Sequence, residues 1–245
     1  MIRFIKVTTL ILMVTVIHIE NVNAQIQRGN CGENGKPIII QSGDFIGCIY
    51  TGEWKDCIME GKAKIEFPSG DLYVGEVSHG AIEGQGTYTW RNGNVYIGQW
   101  KNNAFDGQGI AKDKDGSVYE GQWKNNLYDG FGTDKDKDGN IYTGEFKNGL
   151  REGQGTYKWK KGDMYVGPWV NGEKEGIGTF TYADGSVYTG EFKHGYMEGQ
   201  GTMKYADGFR YEGGWLHDIQ DGAGIMTLPD GKVIHGTWKN GRRKK

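Results

Sequence analysis

The chain has 245 residues, with 43 glycines, 14 tyrosines and 8 tryptophans against 4 prolines and 3 cysteines. The glycines do not fall at every third place, which excludes a collagen-like chain, and the aromatic content excludes a disordered glycine-rich linker. A formal net charge of −2 gives no footprint for nucleic acid, so that class of partner is set aside.

Residues 1–24 read as a secretory signal peptide. Arg3 and Lys6 precede an apolar run from Val7 to Ile17, and Val22-Asn23-Ala24 before Gln25 offers a small-residue cleavage site. That run is about 11 residues, short of the ~20 that span a bilayer, so a cleaved signal is expected rather than an uncleaved anchor. The mature chain is expected to be secreted or periplasmic. Cys31, Cys48 and Cys57 all precede the regular part of the sequence. An oxidising compartment predicts one disulfide and one thiol left over. Cys48 and Cys57 flank the first predicted strand and form the favoured pair, with Cys31 and Cys48 as the other sensible one. No Cys-x-x-Cys or histidine spacing suggests a metal site. Residues 25–49 break the pattern that follows, although Ile38-Ile39-Ile40 reads as a strand. The segment is expected to cap an otherwise bare sheet edge.

From Tyr50 a 23-residue unit begins, and it begins again without insertion at Tyr73, Tyr96, Tyr119, Tyr142, Tyr165, Tyr188 and Tyr211, with a ninth half-unit at Ile234. A period this strict means a repeat array. Counting from the leading tyrosine, positions 3, 12 and 21 are glycine in every full repeat, position 14 is glycine except at Ala63, and position 5 is Trp or Phe except at Val77. Special residues at every second place predict strands over positions 1 to 5 and 12 to 18. The x-Asp/Asn-Gly between them, as in Arg91-Asn92-Gly93, predicts a three-residue hairpin loop. Such a loop sets Tyr88 opposite Tyr96, Gly86 opposite Gly98 and Gly84 opposite Trp100.

This register puts Tyr, Trp and the strand glycines on one face, where large rings can lie flat over residues without a Cβ. The other face carries Glu53, Glu76, Glu145 and Glu191 at position 4 and Lys55, Lys101, Lys124, Lys147 and Lys193 at position 6, and is expected to be solvated. The predicted fold is all-β: a single-layer, twisted antiparallel sheet of about eight and a half hairpin repeats.

The pattern Tyr-x-Gly-x-Trp/Phe-x-x-Gly-x-x-x-Gly-x-Gly-x-x-x-x-x-Asp-Gly resembles the MORN repeat (membrane occupation and recognition nexus) across residues 50–241. The resemblance implies a scaffold or interaction surface, with anionic phospholipid binding proposed for some members. No kinase, methyltransferase or transmembrane domain accompanies the repeats, so the chain is expected not to be an enzyme.

Repeats three and four depart from the aromatic rule at positions 16 and 18, with Ala111 and Asp113, then Asp134 and Asp136. In repeat four this writes a calcium-loop spacing over Asp134, Asp136, Asp138 and Glu145. Asp138 and Glu145, however, stand where the repeat itself places such residues, and the flanks are strands rather than helices. The expectation is an acidic gap in the aromatic face, with no cofactor. His79, His194, His217 and His235 recur with no partner at a catalytic spacing. The basic tail, residues 242–245, reads as a frayed end, or as a contact for anionic lipid or polysaccharide.

The functional expectation is a non-enzymatic secreted scaffold that binds an unidentified protein or surface through the aromatic face, with Tyr96, Trp100, Tyr119, Trp123, Tyr142, Tyr165, Trp169 and Tyr188 as candidate contacts. Self-association through that face would satisfy the same physics. The alternative is a peripheral module on anionic membranes, favoured by the position-6 lysines and opposed by the interleaved glutamates.

Overall fold

A computed structural model describes residues 32–244; the predicted signal peptide and Cys31 lie outside the described residues. Among the described residues there are twenty strands and no helix, hence no helix long and apolar enough to cross a membrane. The chain divides into two compact units, Met1–Gly107 with Asn125–Leu127, and Gln108–Lys124 with Tyr128–Lys245.

In the first unit β1 (Ile38–Ile39), β2 (Ile49–Lys55), β3 (Ile58–Glu66), β4 (Leu72–Ser78), β5 (Ala81–Thr89) and β6 (Val95–Lys101) pair in sequence order, each antiparallel to the last. β7 (Ala104–Lys112) begins in this unit. The second unit holds the rest of β7 together with β8 (Val118–Lys124), β9 (Leu127–Lys135) from its second residue on, β10 (Ile141–Lys147), β11 (Leu150–Lys158), β12 (Met164–Val170), β13 (Glu173–Lys174), β14 (Gly176–Thr181), β15 (Val187–Lys193), β16 (Tyr196–Lys204), β17 (Arg210–Leu216), β18 (Ile219–Thr227), β19 (Val233–Lys239) and β20 (Arg242–Arg243). From β9 onward these too pair antiparallel in sequence order, β12 meeting first β13 and then β14.

The hairpin joining one repeat to the next has the register that the sequence predicts. Gly84 pairs with Trp100, Gly86 with Gly98 and Tyr88 with Tyr96; Gly153 pairs with Trp169, Gly155 with Gly167 and Tyr157 with Tyr165. The loop closes through Gly93 N–H to the Trp90 carbonyl (2.9 Å) and Trp90 N–H to the Asn94 carbonyl (3.0 Å).

Inside each repeat the strands are longer than the sequence pattern indicates, running to position 6 and resuming at position 9. The connection is a two-residue turn with both residues left-handed, as at Asn102 (φ 48°) and Asn103 (φ 65°). This is the I′ geometry that matches the twist of a hairpin. Position 10 then faces inward, but it is Met59, Ile82, Phe105, Tyr128, Arg151, Lys174, Met197 or Gln220, too varied to register as periodic. A bulge follows: Gly144 pairs with Gly155 and Glu145 with Glu152, leaving Gly153 and Gln154 over. Gly153 takes φ 60° there, and Glu145 Oε1 accepts the stranded Gln154 N–H (3.1 Å). The position-4 acids are therefore bulge fillers as well as surface charges.

A second acid links successive repeats. The side chain at position 11 accepts the first turn N–H of the next repeat in all eight cases, from His79 N–H to Glu60 (2.9 Å) to Asn240 N–H to Asp221 (3.5 Å). The His79 N–H and the Ser78 hydroxyl hold the Glu60 carboxyl below the usual carboxylate range; Lys239 and the Asn240 N–H do the same for Asp221. A depressed carboxylate contributes stability above its unfolded pKa and loses it as pH falls through the folded one. Thermal melts are therefore expected to show a midpoint that drops as pH is lowered through and below the ordinary carboxylate range. An unchanged midpoint across that window would remove these bonds as stabilising links.

The ends of the array differ from expectation in two places. Residues Arg242–Arg243, set apart in sequence as the start of a basic tail, pair with Lys239 and Trp238 as β20. They are positions 9 and 10 of the ninth repeat, so the period extends into them. The predicted Cys48–Cys57 pair is not formed: Cys48 is buried and free, which also excludes Cys31 with Cys48, while Cys57 is disulfide-bonded. Flanking one strand is what prevents the predicted bond. The seven residues of β2 separate the two by roughly 23 Å, against the ~7 Å limit between bridged Cα atoms. At the N-terminal edge β1 pairs with only Tyr50 and Ile49, supplemented by Trp54 N–H to Asn34 Oδ1 (2.9 Å).

Candidate functional site

The eight rings singled out from the sequence all face the predicted side of the sheet, but none is presented to solvent. Tyr96, Trp100, Tyr119, Trp123, Tyr142, Tyr165, Trp169 and Tyr188 are all between 0 and 6 % exposed. They are the core of a sheet that has no second layer in its own unit. Each tyrosine folds back along its strand, and its hydroxyl donates to the carbonyl three residues on: Tyr96 to Gln99 (2.8 Å), Tyr119 to Gln122 (2.8 Å), Tyr142 to Glu145 (2.9 Å), Tyr165 to Pro168 (3.0 Å) and Tyr188 to Glu191 (3.0 Å). The glycines at positions 3 and 14 make this possible, because a Cβ on Gly155 would stand 2.6 Å from the Tyr142 Cζ. The tryptophans lie edge-on to these rings, Trp100 to Tyr96 at 5.4 Å and Trp169 to Tyr165 at 5.3 Å between centroids. Their indole N–H groups donate to glycine carbonyls of the preceding repeat, Trp123 to Gly109 at 3.1 Å. Rings that satisfy their polar atoms on the backbone they cover have little surface left to offer.

The half-buried aromatics lie instead at positions 16 and 18, beside the x-Asp-Gly loops. In the first unit Phe67, Tyr88 and Trp90 follow one another with centroids 5.4 Å and 4.8 Å apart. In the second unit Tyr157, Trp159, Phe180 and Tyr182 do so at 4.4, 5.2 and 4.6 Å, Tyr157 itself being buried. These two ladders can receive apolar or planar groups by stacking. The sequence held the signal for them, since their absence from repeats three and four was what marked those repeats as departures.

Beside the second ladder the chemistry becomes mixed. The Arg151 guanidinium, at inward position 10, lies 4.6 Å from the Tyr157 ring centroid, 5.2 Å from Tyr142 and 5.4 Å from Trp169. Burial pushes the Asp134 carboxyl up, with Arg151 pulling it back and Asp136 pushing further. One repeat on, the Lys174 ammonium sits over Phe192 (4.9 Å), Phe180 (5.0 Å) and Tyr165 (5.6 Å). Burial depresses its pKa, opposed by Asp218. Both cations replace apolar plugs and use aromatic faces in place of water.

Three of the four calcium-spaced residues are engaged within the fold. Asp136 Oδ1 accepts the Asp138 and Asn140 N–H groups (both 2.9 Å) in its own loop, Glu145 fills the bulge, and Asp134 pairs with Tyr142 on the aromatic side. Among the described residues no group of three or more His, Cys, Asp or Glu converges. His79, His194 and His217 occupy left-handed turn positions; His79 Nδ1 lies 2.9 Å from the Ser78 hydroxyl and His194 Nδ1 3.3 Å from Glu173.

A family model described as the MORN repeat matches eight consecutive segments, from residues 50–72 through 211–233. No curated protein matches the chain. Among solved structures it is similar to the SAS-4 (dCPAP) TCP domain of Drosophila melanogaster in complex with a proline-rich motif of Ana2 (dSTIL), with 13 % identity and a TM-score of 0.40 over 72 % of this chain and 90 % of that one. It is also similar to the TCP10 domain of Danio rerio CPAP in complex with a peptide of Danio rerio STIL, with 13 % identity and a TM-score of 0.43 over 78 % and 90 %.

Proposed function

The chain belongs to the MORN repeat family, and on that footing we propose that it is a non-enzymatic, secreted scaffold that binds a protein partner along the aromatic ladders. The observation that supports this is the second ladder, in which Trp159, Phe180 and Tyr182 are half-buried and lie tilted against one another at 4.6–5.2 Å between centroids. The buried rings at positions 1 and 5 build the sheet, while those at 16 and 18 meet the partner. Secretion rests on the signal-like residues 1–24.

The test is capture of partners from the protein's native secretion, comparing wild type with Trp159→Ala/Tyr182→Ala. Truncating two aromatic anchors is expected to weaken binding by about thirtyfold or more, measured at a temperature where circular dichroism shows the variant folded. Retention of every partner would count against the ladder.

A second reading is supported by the turn edge. There the last residue of one strand and the first of the next form cross-strand pairs of a lysine with an apolar residue, Lys55 with Ile58, Lys147 with Leu150 and Lys193 with Tyr196. Lysine beside partly exposed apolar groups suits an anionic bilayer surface. Flotation with vesicles of phosphatidylcholine, with and without phosphatidylserine, at two salt concentrations separates this reading from the first.

A further inference from the structure

The outer face, opposite the aromatic side, is polar at positions 4, 6 and 13 in most repeats. Repeat five places Glu145, Lys147 and Gln154 there, and repeat seven places Glu191, Lys193 and Gln200. Repeat six, between them, has Pro168, Val170 and Ile177 at the same three positions. Ile177 is 74 % exposed and Val170 44 %, and Val166 at position 2 adds a further 43 %-exposed group. The residues form one patch: Val166 pairs with Thr179 two places from Ile177, and a Cβ on Gly176 would meet Pro168 Cγ at 3.1 Å. Nothing in the repeat's own architecture needs these apolar residues, since in repeats five and seven Glu145 and Glu191 fill the bulge and lysines stand at position 6. The aromatic ladders lie on the other side of the sheet and leave the patch unused.

We propose that this patch is a self-complementary interface for a second molecule of the same chain, packed outer face to outer face over repeat six. The charges on its two flanks select that occupant. Along each flanking strand a glutamate at position 4 is followed by a lysine at position 6. Turning a second molecule about a two-fold axis that runs along the array reverses its strand direction, and so lays each glutamate against the equivalent lysine. Glu145 then meets Lys147 of the second molecule, and Glu191 meets its Lys193, on both sides of an apolar centre. An apolar core with a charged, complementary rim is the anatomy of a specific interface.

Sedimentation velocity of the mature chain over a range of concentrations tests this. Wild type is expected to show a reversible monomer–dimer equilibrium. Pro168→Glu/Val170→Lys/Ile177→Gln, which writes the residues of repeats five and seven into repeat six, is expected to raise the dimer Kd by at least about tenfold. Val170→Lys alone provides the same readout should the triple variant melt early. Lys147→Glu/Lys193→Glu, which sets like charges face to face, is expected to weaken the dimer in low salt. Trp159→Ala/Tyr182→Ala is expected to leave it unchanged, which separates this interface from the proposed partner site. A wild type that stays monomeric throughout, or a triple variant that associates as wild type does, overturns the proposal.

Discussion

Gly144→Ala is expected to cost about 3 kcal/mol of folding free energy and to lower the unfolding midpoint by roughly 6–12 °C, while Gly155→Ala, directly across the strand pair, costs distinctly less. Both glycines lie under the Tyr142 ring. At Gly144 the added carbon would stand 2.6 Å from the Gln154 carbonyl oxygen and 2.6 Å from the Gly155 Cα. Those are backbone atoms in a paired strand and have nowhere to go. At Gly155 the obstruction is the Tyr142 ring, 2.5 Å away at Cε2, and a ring can tilt. Repeat one already carries that change, since Ala63 occupies position 14 opposite Gly52 and Tyr50 is still fully buried. Position 3, by contrast, is glycine in every repeat, the ninth included. Differential scanning calorimetry of the two variants checks the order. Equal losses, or a larger one for Gly155→Ala, would show that the backbone contact is not what sets the cost.

Tyr165→Ala is expected to be more damaging still, at about 3–5 kcal/mol, whereas Tyr165→Phe costs only about 1 kcal/mol. The ring is fully buried, edge-on to Trp169 at 5.3 Å and to Phe192 at 4.9 Å, with the Lys174 ammonium at 5.6 Å. Removing it takes away a wall from Trp169 in its own repeat and from Phe192 in the next, and leaves Lys174 without part of the surface that replaces its water. Removing only the hydroxyl gives up one bond to the Pro168 carbonyl (3.0 Å), an oxygen that still accepts the Glu175 N–H (3.1 Å). Because each repeat contacts chiefly its neighbours, the loss is expected as an early, local phase in the melt rather than a uniform shift. Circular dichroism melts of both variants decide this, and a Tyr165→Ala curve that overlays wild type would place the ring outside the core. The same reasoning makes Tyr165→Ala unsuitable for mapping a binding surface.

Strand pairing across the x-Asp-Gly loop was legible in the sequence because tyrosine and glycine at alternate places allow only one register that keeps them on one face. What the alternation does not encode is depth. It assigns Tyr165 and Trp159 to the same side but does not say that one ring lies flat over glycines while the other stands half-exposed beside a loop. The position-11 acids escaped notice for another reason. Position 11 is Glu or Asp in every full repeat, but its partner, as in Glu83 with Asn102, is a backbone N–H across a repeat boundary, and a backbone group leaves no residue type to read. The predicted cysteine pairing fails on distance, because an extended strand holds the two residues that flank it apart. Glutamates and lysines dominate the outer face and give it a solvated average, against which the change of character at Pro168, Val170 and Ile177 in one repeat does not stand out.

The bonds between successive repeats reach across a fixed interval: in all eight links donor and acceptor are 19 residues apart. From the second repeat on, each turn is thus completed by a side chain belonging to the repeat before it, and no such repeat is a closed unit. Gain or loss of 23 residues, wherever the cut falls, returns every acid to a turn, whereas a change of any other length strands one of each. The array can therefore lengthen or shorten only in whole periods, like a chain whose links are each fastened by the one before.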